Sequence, residues 1–194
     1  MKKRLIWIWI TIAILVILYS ATIGKYNALV ISEESVKTER SQVQNVYQRR
    51  ANLIPNLVAT VKGEANFEKQ TLTDVINARA AASQIKVDVN NTEELAKYQA
   101  AQGQLSQALG RLMVLTENYP SLQANQSFRD LMVQLEGTEN RIAVEIRNYN
   151  TAAKNYNTQI RIFPTSIIAK IFDFQRANLF EATTGAEVAP TVEF

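Results

Sequence analysis

The chain contains no cysteine and no histidine, and in 194 residues only six glycines and four prolines. Without Cys there is no thiolate nucleophile, and without Cys and His the usual zinc ligand sets are gone. Missing His also removes the side chain that titrates near neutrality and the Glu-x-x-His ligands of di-iron bundles. Catalysis would have to rest on carboxylates, Lys, Tyr or hydroxyls. No nucleophile–base pair, phosphate loop or metal set stands out among them, so no cofactor is expected. Absent Cys suits an oxidising and a reducing compartment equally, and it locates nothing. Few Gly and Pro mean few turns, hence long elements. Charged residues are scarce at 20%, while apolar residues reach 47%, a balance that supports a folded core.

The net charge of +3 does not describe a basic face. Lys2, Lys3 and Arg4 carry it, because the remainder holds 18 Lys+Arg against 18 Asp+Glu. A three-residue tag is not a nucleic-acid footprint, so no nucleic-acid partner is expected.

What is present begins with "LIWIWITIAILVILYSATI", an uncharged run from Leu5 to Ile23. At about 1.5 Å per residue it reaches roughly 28 Å, close to the ~30 Å of a hydrocarbon core. Trp7, Trp9 and Tyr19 lie towards its ends, where amphipathic rings prefer the interface. Residues 1–4 form a basic tag before it, and Lys25 and Lys37 follow beside Glu33 and Glu34. The positive-inside rule therefore keeps Lys2, Lys3 and Arg4 in the cytoplasm and exports the body. The expectation is a retained signal-anchor over residues 5–23 in a bacterial inner membrane, with the bilayer as its partner. A cleaved signal peptide is the alternative, but Tyr19 and Leu18 occupy positions that cleavage requires to be small.

The body is periodic in the helical sense. Leu29, Glu33, Val36, Arg40, Val43, Tyr47, Arg50, Ile54, Leu57 and Val61 share one stripe. Pro55 interrupts it without shifting its phase, which predicts a kink and not an end. Helix or near-helix is expected to continue past Gly63 to Ser83. "KVDVNN" reads as a loop, with Asn91 as the next N-cap. A second stripe runs from Leu95 to Tyr119 and stops at Pro120. "PSLQANQS" reads as a turn, with Asn125 or Ser127 as cap. A third stripe runs from Phe128 to Phe163, and "TSIIAKIFDF" forms a short fourth helix, capped by Thr165 or Ser166. The pattern predicts an all-α chain: a transmembrane helix, then an antiparallel four-helix bundle over residues 25–175. Residues 176–194 lack periodicity and are expected to be loose.

The ordered set "KYNALV", "QVQNVYQRRANLIPNLVATVKG" and "YPSLQANQSFRDLMVQLEGTENRIAVEIRNYNTAAKNYNTQIRIFP" resembles the LemA family. The likeness covers nearly the whole chain after residue 25. It implies a single-pass membrane protein with an exported helical bundle, and it brings no defined biochemical activity. One departure is the stretch Glu64 to Glu68, where the family often carries an aromatic residue and a His.

Three groups are candidate sites. Glu139 is the only charge on the third stripe, and Arg50 sits among apolar neighbours on the first. Unpaired buried charges are costly, so a pair between Glu139 and Arg50 (or Arg49) is expected. A solvated rim position for Glu139 is the alternative. Tyr149-Asn150 and Tyr156-Asn157 repeat at heptad spacing on one face. They form either a structural polar network or the wall of a ligand cavity. Glu64 and Glu68 lie one turn apart but lack partners for a metal. The short helix near Ile167 packs into the bundle or dips into a membrane surface.

These features together predict a non-enzymatic scaffold or interaction module at the extracytoplasmic face, with envelope maintenance as its setting. Its partner protein is not identified by the sequence, and homo-oligomerisation stays open. The alternative is a ligand-sensing bundle that works through a partner.

Overall fold

A computed structural model of the chain describes residues 2–64, 67–85 and 91–181, without the side chains of residues 2–5, 18 and 21. Six helices make up the described fold: α1 (Lys2–Lys62), α2 (Lys69–Gln84), α3 (Thr92–Thr116), α4 (Pro120–Ala124), α5 (Gln126–Gln159) and α6 (Thr165–Ile171). No strand occurs among the described residues. The all-α expectation and the long apolar N-terminal helix are both present.

α1 is one uninterrupted helix of 61 residues, about 90 Å long at 1.5 Å per residue. Its apolar beginning is exposed, with none of it buried against the rest of the described chain. Lys2, Lys3 and Arg4 lie on it, but their side chains fall outside the described set. The amphipathic second half carries the bundle, because Leu29, Val36, Val43, Ile54, Leu57 and Val61 all turn inward.

Pro55 lies within α1 and does not end it. A proline has no N–H to give the carbonyl four residues back, here that of Ala51. Arg79 on α2 fills the gap: its Nε donates to the Ala51 carbonyl at 2.7 Å. The break in one helix's ladder thus becomes a docking point for the next.

α1 ends at a turn in which the Gly63 N–H donates to Thr60 O and the Glu64 N–H to Val61 O. α2 then reverses direction. The expected helical continuation past Gly63 is therefore corrected: the segment from Lys69 is a separate helix, and it supplies the fourth long member of the bundle. Asn91 caps α3 through bonds from the Glu93 and Glu94 N–H groups at 3.0 and 3.3 Å. Asn125 caps α5, accepting from Phe128 N–H. Between these caps, "PSLQA" forms α4 where a turn was expected, because Pro120 occupies a first-turn position that needs no N–H. α6 starts at Thr165 behind Pro164, so neither Thr165 nor Ser166 caps it.

α1, α2, α3 and α5 run up-down-up-down. α5 lies along α1, and α2 pairs mainly with α3. On α5 the buried positions Phe128, Leu135, Ile142, Tyr149 and Tyr156 are seven apart and keep one face of the helix turned inward along its length. The interior is split in two. A distal core gathers Ile54, Leu57, Val61, Leu105, Leu112 and Leu135. A proximal core gathers Leu29, Val43, Tyr47, Tyr98, Tyr149, Tyr156 and Ile168.

After α6 the chain turns through Asp173, whose φ of 55° is left-handed. The Phe174 N–H reaches back to Ala169 O at 2.9 Å, the long bond of a Schellman-type stop. Residues 174–181 then run extended, antiparallel to α5, with Phe180 buried. Residues 176–181 were expected to be loose and are instead fastened to the bundle. Helical periodicity does not reveal a segment held by backbone hydrogen bonds. Residues 182–194 lie outside the described residues.

Candidate functional site

Arg50 is the largest fully buried side chain, 1% exposed, and it sits between the two cores. Burying a guanidinium is costly unless its donors are met. Nη1 donates to Glu139 Oε1 at 2.7 Å and to Ser106 Oγ at 2.8 Å. Nη2 donates to Gln102 Oε1 and, at 3.5 Å, to Gln102 O. Nε finds no acceptor among the described residues, and the guanidinium lies 5.1 Å from the centroid of the Tyr47 ring. α1, α3 and α5 therefore meet around one cation.

The structure joins both sequence readings of Glu139. It pairs with Arg50, not with the exposed Arg49, yet its own side chain is 34% exposed. Gln102 and Ser106 were not singled out as site residues. Gln102 could have been: it interrupts an apolar stripe on α3 just as Glu139 does on α5.

Over this cation lies a groove of about 800 Å³ between α3 and α5, floored by Tyr47 and Arg50. Its α3 wall carries Ala96, Ala100, Gly103 and Gln107, spaced as one helical stripe. Ala96, Ala100 and Gly103 put little side-chain bulk into the groove. Gln99, Gln104 and Gln107 line the groove with groups that both donate and accept. Glu139 and Glu181 supply the acids. A second depression of about 430 Å³ between α2 and α3 has no buried charge in its lining.

Burial pushes the Tyr47 hydroxyl up to about 12, with Arg50 acting the other way. It pushes Tyr98 up to about 12 as well, opposed by a hydrogen bond with Gln102. Both phenols keep their protons at neutral pH, so neither offers a base beside Arg50.

The tyrosine–asparagine pairs form a different site, below the cation. They do not contact Arg50 or Glu139; they hold the C-terminal strap. Asn157 Nδ2 donates to Ala177 O at 2.8 Å, and its Oδ1 accepts from Ala177 N–H at 2.9 Å. Asn150 treats Phe180 the same way, with both bonds at 2.9 Å. The Tyr156 hydroxyl donates to Gln175 O and the Tyr149 hydroxyl to Asn178 O, each at 2.8 Å. Burial raises both phenols, Tyr156 to about 12.

The spacing has a simple cause. Seven helical residues advance about 10.5 Å, and three extended residues advance about 10 Å. Heptad-spaced Asn residues on α5 therefore meet every third residue of the strap. The rings bond directly to the strap, which fills the place that a ligand cavity would need. The strap's last described residue, Glu181, reaches the groove, where Gln99 Nε2 donates to its carbonyl at 3.3 Å.

Known proteins resemble this chain over most of its length. Protein LemA of Metamycoplasma hominis is 28% identical over 167 residues, covering 86% of this chain and 74% of that one. Magnetosome protein MamQ 2 of Paramagnetospirillum magneticum is 30% identical over 179 residues, covering 81% of this chain and 65% of its own length. Magnetosome protein MamQ of Magnetospirillum gryphiswaldense is 28% identical over 190 residues, covering 88% and 70%. The profile of the LemA family matches residues 39–194, which takes in the Arg50 layer, the groove and the strap, and the chain belongs to the LemA family.

Proposed function

We propose that this protein is a membrane-anchored interaction module that acts without catalysis, holding extended polypeptide in the groove between α3 and α5. The observation that carries this reading is the strap. The bundle already binds one extended segment, its own, through side-chain amides that pair with backbone N–H and C=O. The groove continues past the strap with the amides of Gln104 and Gln107 and small walls. Such a surface recognises main chain, as edge-pairing peptide sites do, and leaves side-chain preference to its few pockets.

In this reading Leu5–Ile23 crosses the inner membrane, Lys2, Lys3 and Arg4 remain cytoplasmic, and the bundle works outside, in envelope maintenance. The apolar stretch of α1 supports the span by its length and full exposure. The test places a photo-crosslinking residue at Gln104, in the groove, and at Val133, on the outer face of α5, in intact cells. Adducts larger than the chain itself are expected from Gln104 and not from Val133. Equal adducts from both positions, or none from Gln104, would count against the groove as the binding face.

A second reading has its own observation: a buried guanidinium at the floor of a groove of about 800 Å³ is a place for a small acidic ligand. A rise in melting temperature with small carboxylates, abolished by Arg50→Met, would favour a ligand sensor over a peptide-holding module.

A further inference from the structure

α5 runs along α1 in constant register. Arg50 meets Glu139, Arg40 is an electrostatic neighbour of Tyr149, and Glu33 of Tyr156. Each step down α1 is thus matched by an equal step along α5. Ile160, just past the end of α5, is then level with Leu29, six residues beyond Ile23. Six helical residues span about 9 Å, and a headgroup layer is about 5–8 Å thick. The chain goes on past Ile160 to Phe163 before it turns into α6. Ring contacts fix the other end of α6 independently: Tyr26 lies 4.7 Å from Phe172 and 5.7 Å from Phe174, centroid to centroid. Tyr26 is only three residues from the apolar run.

The composition of this corner matches that position. Thr165, Ile168 and Ala169 bury against the bundle, as a packed short helix should. Ile162, Phe163, Ile167, Ile171 and Phe172 face outward, with Phe163 80% and Ile171 70% exposed. Isolated exposed apolar residues need no account, but five within eleven residues at one end of a bundle do. Arg161 and Lys170 are exposed beside them, and Asp173 is the one acid from residue 161 to 174. Apolar residues beside cations, level with the headgroups, make a surface for lipid.

We infer that the α5–α6 corner is a second membrane contact. Ile162, Phe163, Ile167, Ile171 and Phe172 enter the headgroup–acyl boundary of the bilayer that α1 crosses, and Arg161 and Lys170 meet lipid phosphate. The inference rests on reading Leu5–Ile23 as a span. Two contacts, one on α1 and one on α6, fix the tilt of the bundle and hold the groove at a set height above the membrane.

The absence of Cys makes the test clean, since an introduced Cys is the only thiol. The full chain is placed in nanodiscs of equal parts phosphatidylcholine and phosphatidylglycerol. A fluorophore is attached at Phe163→Cys, Ile171→Cys, Ile12→Cys or Val114→Cys, and nitroxide lipids quench at graded depths. Val114 is exposed at the distal end of the bundle. Labels at Phe163 and Ile171 are expected to be quenched several-fold more than at Val114, most strongly by shallow nitroxides, and at Ile12 by deep ones. Quenching at Ile12 with Phe163 and Ile171 as bright as Val114 overturns this inference and leaves the span intact. No quenching at Ile12 overturns the span and the inference with it.

Discussion

Arg79 and Pro55 are linked through one carbonyl, and this link can be broken in two ways. Arg79→Leu removes the donor to Ala51 O. Ala51 is buried, and Pro55 cannot supply the N–H that an ordinary helix would provide. An unsatisfied buried carbonyl costs about 1–3 kcal/mol, and losing a charged donor sits at the upper end of that range. Arg79 is itself half-buried, so part of its stem packing is lost as well. The expected cost of Arg79→Leu is therefore about 2–3 kcal/mol. In a Pro55→Ala background the picture changes. The substituted alanine restores the N–H and closes the helical ladder onto Ala51 O, so Arg79→Leu should cost about 1 kcal/mol or less. The assay is guanidinium unfolding of the full chain in a mild non-ionic detergent, followed by far-UV circular dichroism, for the wild type, both single variants and the double variant. The cycle should return a coupling of about 1–2 kcal/mol between two residues that meet only through that carbonyl. Additive effects within about 0.3 kcal/mol would refute the claim that Arg79 stands in for the missing proline N–H.

Three further outcomes are expected. Glu139→Leu leaves the Arg50 cation with neutral acceptors only, but beside an open groove, so the cost should be about 2 kcal/mol and not the full ~3–5 of a sealed pair; Arg50→Leu in that background should cost less than alone, and additivity in the same unfolding assay would contradict a coupled pair. Asn150→Ala with Asn157→Ala removes the four amide bonds to Ala177 and Phe180; trypsin should then cut after exposed Arg176 many times faster, and an unchanged cleavage rate would show that the tyrosine hydroxyls and Phe180 hold the strap without the amides. Tyr47, Tyr98 and Tyr156 keep their protons up to about pH 12 in the fold, whereas unfolded tyrosines lose theirs near ~10. Their contribution is complete below pH ~10 and falls as pH rises towards ~12; a melting temperature that is level across that window would rule out buried phenols as the cause of alkaline unfolding.

Much of this was legible because it is local. The anchor is a matter of composition and length. Asn91 and Asn125 could be read as caps because capping is a contact over two or three residues. Glu139 and Arg50 stood out as charges on apolar stripes, and cost alone brought them together. The strap was not legible. Its residues show no period, and its partners lie 20 and 30 positions away in the chain. The Asn repeat on α5 was visible, but nothing local said that its match was a backbone with a three-residue step. The break after Gly63 was missed for a related reason: the residues on either side favour helix, and the reversal serves the packing of α2 on α3.

The sequence by itself determined the helical class, the uncharged N-terminal run, the seven-residue repeat on α5 and the presence of charges on otherwise apolar stripes, because each follows from side-chain chemistry repeating at a helical period. Tertiary structure alone decided what surrounds Arg50, which carbonyl Arg79 caps, where the strap lies and how the α5–α6 corner stands against the end of the apolar run. Those depend on the register between helices far apart in the chain. Register is a sum over many weak contacts along a whole interface, and no short stretch of residues carries it.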